Sequence, residues 1–154
     1  MKKLGILSAA LFIASLGFSQ SAQFNVKDGL YYDRSGNLLN GIEQQRNQNG
    51  VLVAEFTFSN GQKNGPAKFY NANGTLTEEG NYINGQKQGE WTQYHADGTK
   101  AGVGRFENDQ KTGKWKVWDD SGQLRFDMQY ANGKKTGTWL MYDENGELSM
   151  EKSY

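Results

Sequence analysis

The sequence predicts an all-β fold, an elongated single-layer antiparallel meander of β-hairpin repeats. Three observations predict it. The text recurs at a period of 24 residues, segments inside each period alternate apolar and polar side chains, and Asn-Gly, Asp-Gly and Ser-Gly pairs punctuate them.

The period is read from several columns at once. NGQKQGEWTQYHADGT, at 84–99, returns as NDQKTGKWKVWDDSGQ and then as NGKKTGTWLMYDENGE. Four units follow: 60–83, 84–107, 108–131 and 132–154. Gly65, Gly89, Gly113 and Gly137 form one column, and Gly74, Gly98, Gly122 and Gly146 another. Aromatic columns are as regular: Tyr70, Tyr94, Trp118 and Tyr142; Phe58, Tyr82, Phe106, Tyr130 and Tyr154; Trp91, Trp115 and Trp139.

Alternation assigns the strands. Leu124, Phe126, Met128 and Tyr130 share one parity and Arg125, Asp127 and Gln129 the other, as a half-buried strand requires. The aromatic run before each glycine, such as KWKVWD, is a second strand, and the Asn-Gly type pairs supply the positive φ of tight hairpin turns. Trp115 and Trp118 are three apart, which strict alternation places on opposite faces. A bulge near the DDSG turn is expected to bring both inward. Hairpins joined in order give about ten strands, a sheet roughly 50 Å long at ~4.8 Å per strand. One hairpin cannot bury its own apolar face, so each unit needs its neighbours.

The ends depart from the repeat. Met1 to Phe18 has a doubly basic start and then an apolar run from Leu4, the layout of a signal peptide over 1–19. Gly17 and Ser19 favour cleavage before Gln20, with a cut after Ala22 as the rival. The apolar run is shorter than the ~20 residues of a membrane-spanning helix, and nothing in the mature chain resembles a span. The expected location is therefore exported, periplasmic or secreted. Residues 24–59 read as a degenerate N-terminal cap, and the last strand puts Glu151 and Lys152 on a free edge. A monomer or a weak edge-to-edge dimer is expected.

Composition excludes several classes. The chain has 17 basic residues, of which the leader removes Lys2 and Lys3, against 17 acidic ones, so no strong positive field exists for nucleic acid. There is no cysteine, hence neither disulfide nor thiolate site.

The consensus NG-x-K-x-G-x-W-x-x-Y-x-x-x-G resembles the MORN-like repeat of bacterial proteins labelled YwqK-type antitoxins. Asn84, Gly85, Lys87, Gly89, Trp91, Tyr94, Gly98 and Phe106, with their counterparts 24 residues on, carry the resemblance. It covers the chain from about Gly29 to Tyr154. It implies an array of β-hairpins that binds partners, and the antitoxin label implies holding a toxin inactive.

No catalytic constellation is legible. His95 is the single histidine and stands in a column of turn formers, Asn71, Asp119 and Asp143. Glu78 and Glu79, or Asp119 and Asp120, are adjacent, so on a strand they point to opposite faces. The DDSG and NANG turns lack the terminal glutamate of a calcium loop, so no metal is expected. Gly102 and Gly104 form GVG without a third glycine or a following helix pattern, and close strand packing explains Gly104 and Gly80 better than a nucleotide cradle. No cofactor is implied. The aromatic columns remain, with core packing as their first reading. Their functional reading is a binding ladder of Trp91, Tyr94, Trp115, Trp118, Trp139 and Tyr142. A non-enzymatic scaffold or immunity-like protein binder is the expected function, with an envelope glycan binder as the alternative.

Overall fold

The computed structural model describes residues 24–154, so the predicted signal peptide lies outside them. Twelve strands and no helix make up the described chain. A small hairpin of β1 (Asn25–Lys27) and β2 (Leu30–Tyr32) precedes ten strands: β3 (Gly41–Arg46), β4 (Leu52–Ser59), β5 (Gln62–Tyr70), β6 (Leu76–Ile83), β7 (Gln86–Tyr94), β8 (Lys100–Glu107), β9 (Gln110–Trp118), β10 (Leu124–Ala131), β11 (Lys134–Tyr142) and β12 (Leu148–Ser153). These ten pair strictly in chain order as one open antiparallel sheet, with β3 and β12 at its edges. The predicted meander is the observed fold.

Two kinds of turn alternate along it. Between β6 and β7 only Asn84 and Gly85 intervene, at φ 49° and 83°, so both turn residues occupy the left-handed region as a two-residue hairpin of this hand demands. These turns also index the units. Gly85 N–H donates to the Lys63 carbonyl at 2.8 Å, Asp109 N–H to that of Lys87 at 3.1 Å, and Gly133 N–H to that of Lys111 at 2.9 Å. At the other margin the turns close on an Asn or Asp side chain: Asn71 Oδ1 accepts the N–H groups of Asn73 and Thr75 at 2.9 and 3.0 Å.

The core is a ladder of rings on one face, here called inner. Phe24, Tyr31, Phe58, Phe56, Tyr82, Trp91, Phe106, Trp115, Tyr130, Trp139 and Tyr154 follow one another with centroids 4.9 to 6.3 Å apart, many of them edge to face. Two of the sequence columns thus merge into a single stack. Tyr31 and Phe24 extend it from the N-terminal hairpin, and Tyr31 N–H holds the Gly61 carbonyl at 2.8 Å.

The register steps twice in every unit, around glycines such as Gly137, where face parity survives, and beside the turns such as DDSG, where it does not. Trp118 pairs with Leu124, but the next pair is Val117 with Phe126, so Arg125 is an extra residue. The bulge near the DDSG turn exists, yet it lies on the strand after the turn and not on the strand that carries both tryptophans. Trp115 and Val117 consequently share the inner face while Trp118 stays on the other, against the expectation that both would point inward. Leu124 also leaves the parity of Phe126. The same step recurs at Thr77 and Ala101, where Tyr70 pairs with Leu76 and Tyr94 with Lys100.

Candidate functional site

The sheet sorts the six sequence-predicted binding residues onto two faces. Trp91, Trp115 and Trp139 are inner, with exposures of only 0, 1 and 6%. Their rings belong to the core ladder, and the indole N–H of Trp115 and Trp139 donate to the carbonyls of Thr112 and Gln129 at 3.1 and 3.0 Å. Trp91 Nε1 is buried and has no hydrogen-bond partner, as is Gln93 Oε1 on the same strand.

Tyr94, Trp118 and Tyr142 are half-buried on the outer face. The register gives this column a second component that the sequence reading missed. Cross-strand pairs Tyr70 with Leu76, Tyr94 with Lys100, Trp118 with Leu124 and Tyr142 with Leu148 line one margin of the outer face. Aromatic and leucine side chains therefore alternate in a stripe beside the turns, broken only at Lys100. The parity of Leu124 concealed it, since without the bulge that leucine belongs to the inner face.

Polar contacts hold the stripe in place. Tyr94 Oη donates to Glu79 Oε1 at 2.5 Å, and this hydrogen bond, with burial, pushes the hydroxyl up to about 12. Arg125 donates from Nε to the Tyr142 carbonyl at 2.9 Å and from Nη1 to Asp119 Oδ2 at 3.2 Å. The Ser121 hydroxyl bond, joined by those of Gln123 N–H and Arg125, holds the Asp119 carboxyl down at about 2. Lys116 and Asp127 pair across β9 and β10 at 2.9 Å.

A column of lysines on the inner face was visible only as a consensus letter. Lys63, Lys87, Lys111 and Lys135 each follow a hairpin turn by two residues and lean over the rings four positions on or in the neighbouring strand. Lys87 Nζ is 3.7 Å from the Trp91 ring centroid, Lys111 4.6 Å from that of Trp115, Lys135 4.4 Å from that of Trp139, and Lys63 4.0 Å from that of Phe56. Lys87 also meets Glu78 Oε1 at 2.8 Å.

His95 does sit in its turn, where its N–H donates to the Thr99 carbonyl at 2.9 Å. Its Nδ1 reaches Asp120 Oδ1 of the next unit at 2.8 Å, and its Nε2 is buried without a partner. Among the described residues no three His, Cys, Asp or Glu side chains gather closely enough to hold a metal ion.

Residues 63–84, 111–132 and 135–154 match the MORN repeat variant. The similarity is thus to a repeat, met at three places along the chain. Each matched segment opens on a column lysine, Lys63, Lys111 or Lys135, and runs through the following hairpin. No curated protein matches the chain. Among solved structures, partial similarity extends to TarM of S. aureus, a mutant in complex with Fondaparinux, alpha-GlcNAc-glycerol and UDP. Identity there is 13% over 62% of this chain and 19% of that one, with a TM-score of 0.43. A second TarM structure gives 13% identity, 63% and 19% coverage and a TM-score of 0.42. A GtfA/B complex bound to UDP and GlcNAc gives 12%, 73%, 23% and 0.30. The chain thus spans about a fifth of the length of these structures.

Proposed function

We propose that the chain is an exported, non-enzymatic interaction module that holds a protein partner on the outer face of its sheet, as a scaffold or an immunity-like binder. The stripe of Tyr70, Tyr94, Trp118 and Tyr142 interleaved with Leu76, Leu124 and Leu148 carries this reading. These side chains do not belong to the ring ladder, so their partial exposure is not a by-product of core packing. Tyrosine and tryptophan bring large contact area at low entropic cost, and a row of them flanked by fixed polar groups suits a protein surface. The MORN-type repeats support the same reading, since such arrays serve as binding platforms.

The test is retention of a partner from an envelope extract by the wild-type protein, by a Trp118→Ala/Tyr142→Ala variant and by a Lys63→Gln/Lys135→Gln variant. A protein retained stoichiometrically is then purified and its affinity for each chain measured. The reading expects a loss of at least tenfold in the first variant and none in the second. Undiminished affinity in the Trp118→Ala/Tyr142→Ala variant, with that variant folded, contradicts it. Retention of a glycan instead of a protein by the same stripe transfers the site to the alternative reading.

A further inference from the structure

We infer that the inner face carries a second site, in which the lysine column binds a linear anionic polysaccharide lying across the strands. The inference goes beyond the proposed protein-binding stripe, which occupies the opposite face.

Charge on the inner face is one-sided. The strand register puts Lys63, Lys87, Lys111, Lys135 and Lys152 there, against the carboxylates of Glu43 and Glu78 on the strands and of Asp109 in a turn, where it accepts the Lys87 N–H at 2.7 Å. Glu78 is engaged by Lys87 at 2.8 Å. Lys63, Lys135 and Lys152 have no carboxylate within ion-pair distance among the described residues. Lys63 is instead pushed down to about 8, first by burial and then by repulsion from Lys87, and Lys111 is lowered by the same two causes. An anion laid along the column would offset that repulsion.

The amines are also placed rather than loose. Lys63, Lys87, Lys111 and Lys135 each have a ring beneath them at 3.7 to 4.6 Å, and the carbonyls of Lys63, Lys87 and Lys111 are clamped by the turn of the next unit. At the C-terminal end Lys135 and Lys152 both stand 5.0 Å from the Tyr154 ring, so two charges close the row. At Lys63 and Lys152 an ammonium resting on a ring can still donate N–H groups to carboxylate or sulfate oxygens.

Spacing identifies the polymer. Successive column lysines are two strands apart, about 10 Å. That interval suits an extended glycan with an acid group on every second sugar. A peptide running in this direction would cross the strands at right angles and gain no ladder hydrogen bonds, whereas a glycan needs none. The tryptophans beneath are buried, so recognition here rests on charge and hydroxyl contacts, not on stacked sugar rings.

The experiment titrates the protein with hyaluronan, one carboxylate per two sugars, and with neutral dextran, following tryptophan fluorescence at low and high salt. Saturable binding to hyaluronan, weakened by salt, and none to dextran is the expected result. Lys63→Gln and Lys135→Gln are each expected to weaken binding about fivefold, the loss of one charge-assisted contact partly screened by water. Lys135 is exposed, so that variant keeps the fold even where Lys63→Gln disturbs it. Trp118→Ala should leave hyaluronan binding unchanged, which separates failure here from failure of the outer stripe. No binding to hyaluronan, equal binding by Lys135→Gln, or binding confined to vesicles of phosphatidylglycerol overturns the inference.

Discussion

The indole of Trp115 lies flat on the backbone of Gly104: a Cβ at that glycine would stand 2.2 Å from Cδ2 and 2.3 Å from Cε3 of the ring. Trp91 uses Gly80 in the same way, at 2.2 Å from its Cδ2. One unit earlier the sizes are exchanged, with Phe56 in the glycine column paired to Ala67 in the tryptophan column. In these three units a ring on one strand is thus met by a small residue on the next, whereas Met128 fills the same column beside Trp115.

Gly104→Ala is therefore expected to destabilise the fold by about 3 kcal/mol, because backbone and a fully buried indole must both move. Urea unfolding measures it. Adding Trp115→Ala, which removes the ring that the new methyl would strike, should cost less than the sum of the two single changes, as residues in direct contact couple. Simple additivity would show that the ring does not rest on this glycine.

His95 breaks the turn column. Asp33, Asn47, Asn71, Asp119 and Asp143 each accept two backbone N–H groups of their own turn on Oδ1. In the His95 turn Asp97 Oδ1 takes one backbone N–H, that of Thr99 at 2.9 Å, together with the Thr99 hydroxyl at 2.6 Å. His95→Asp should restore the missing bond and raise stability by about 1 kcal/mol. Thermal unfolding reads this directly, and a lowered midpoint would show that the Asp120 contact outweighs the cap.

Lys63 predicts an alkaline gain in stability. Its amine is held at about 8 in the folded chain against 10.5 in the reference state, so the unfolded chain binds more protons across that interval. Stability then rises with pH from about 8, with Lys111 contributing in the same sense. Above about 10 Tyr82 opposes the gain, because burial pushes its hydroxyl up and unfolding frees it to ionise. Urea midpoints are expected to rise by the equivalent of about 1 kcal/mol between about pH 8 and 9.5, and to rise clearly less in Lys63→Met. An equal rise in that variant would assign the effect elsewhere.

The repeat, the hairpins and the order of strands were legible because each rests on local chemistry: paired positive-φ residues at Asn84 and Gly85, and a ring every unit at Trp91, Trp115 and Trp139. The proximity of Gly80 and Gly104 to another strand was legible too, although not that an indole covers them. Which face the second aromatic column takes was not. That depends on whether the extra residue of the bulge falls on the strand of Trp118 or on the strand of Leu124, and the two choices leave the same letters at the same spacing. The lysine column escaped for a different reason. A lysine at a turn exit ordinarily signals a solvated position, and only the rings beneath Lys87 and Lys63 show it lying over the core.

The central claim is that the 24-residue unit is an interchangeable block, joined to its neighbours by equivalent turns, ring contacts and register. Removing residues 108–131 and joining Glu107 to Asn132 tests it most directly, since Asn108 and Asn132 open equivalent turns at φ 49° and Gly104 would then receive Trp139 in place of Trp115. Circular dichroism and urea unfolding of the shortened chain should show a cooperative β-sheet protein with a smaller m-value, as befits less buried surface. Loss of the β-sheet spectrum or of cooperative unfolding would contradict the account.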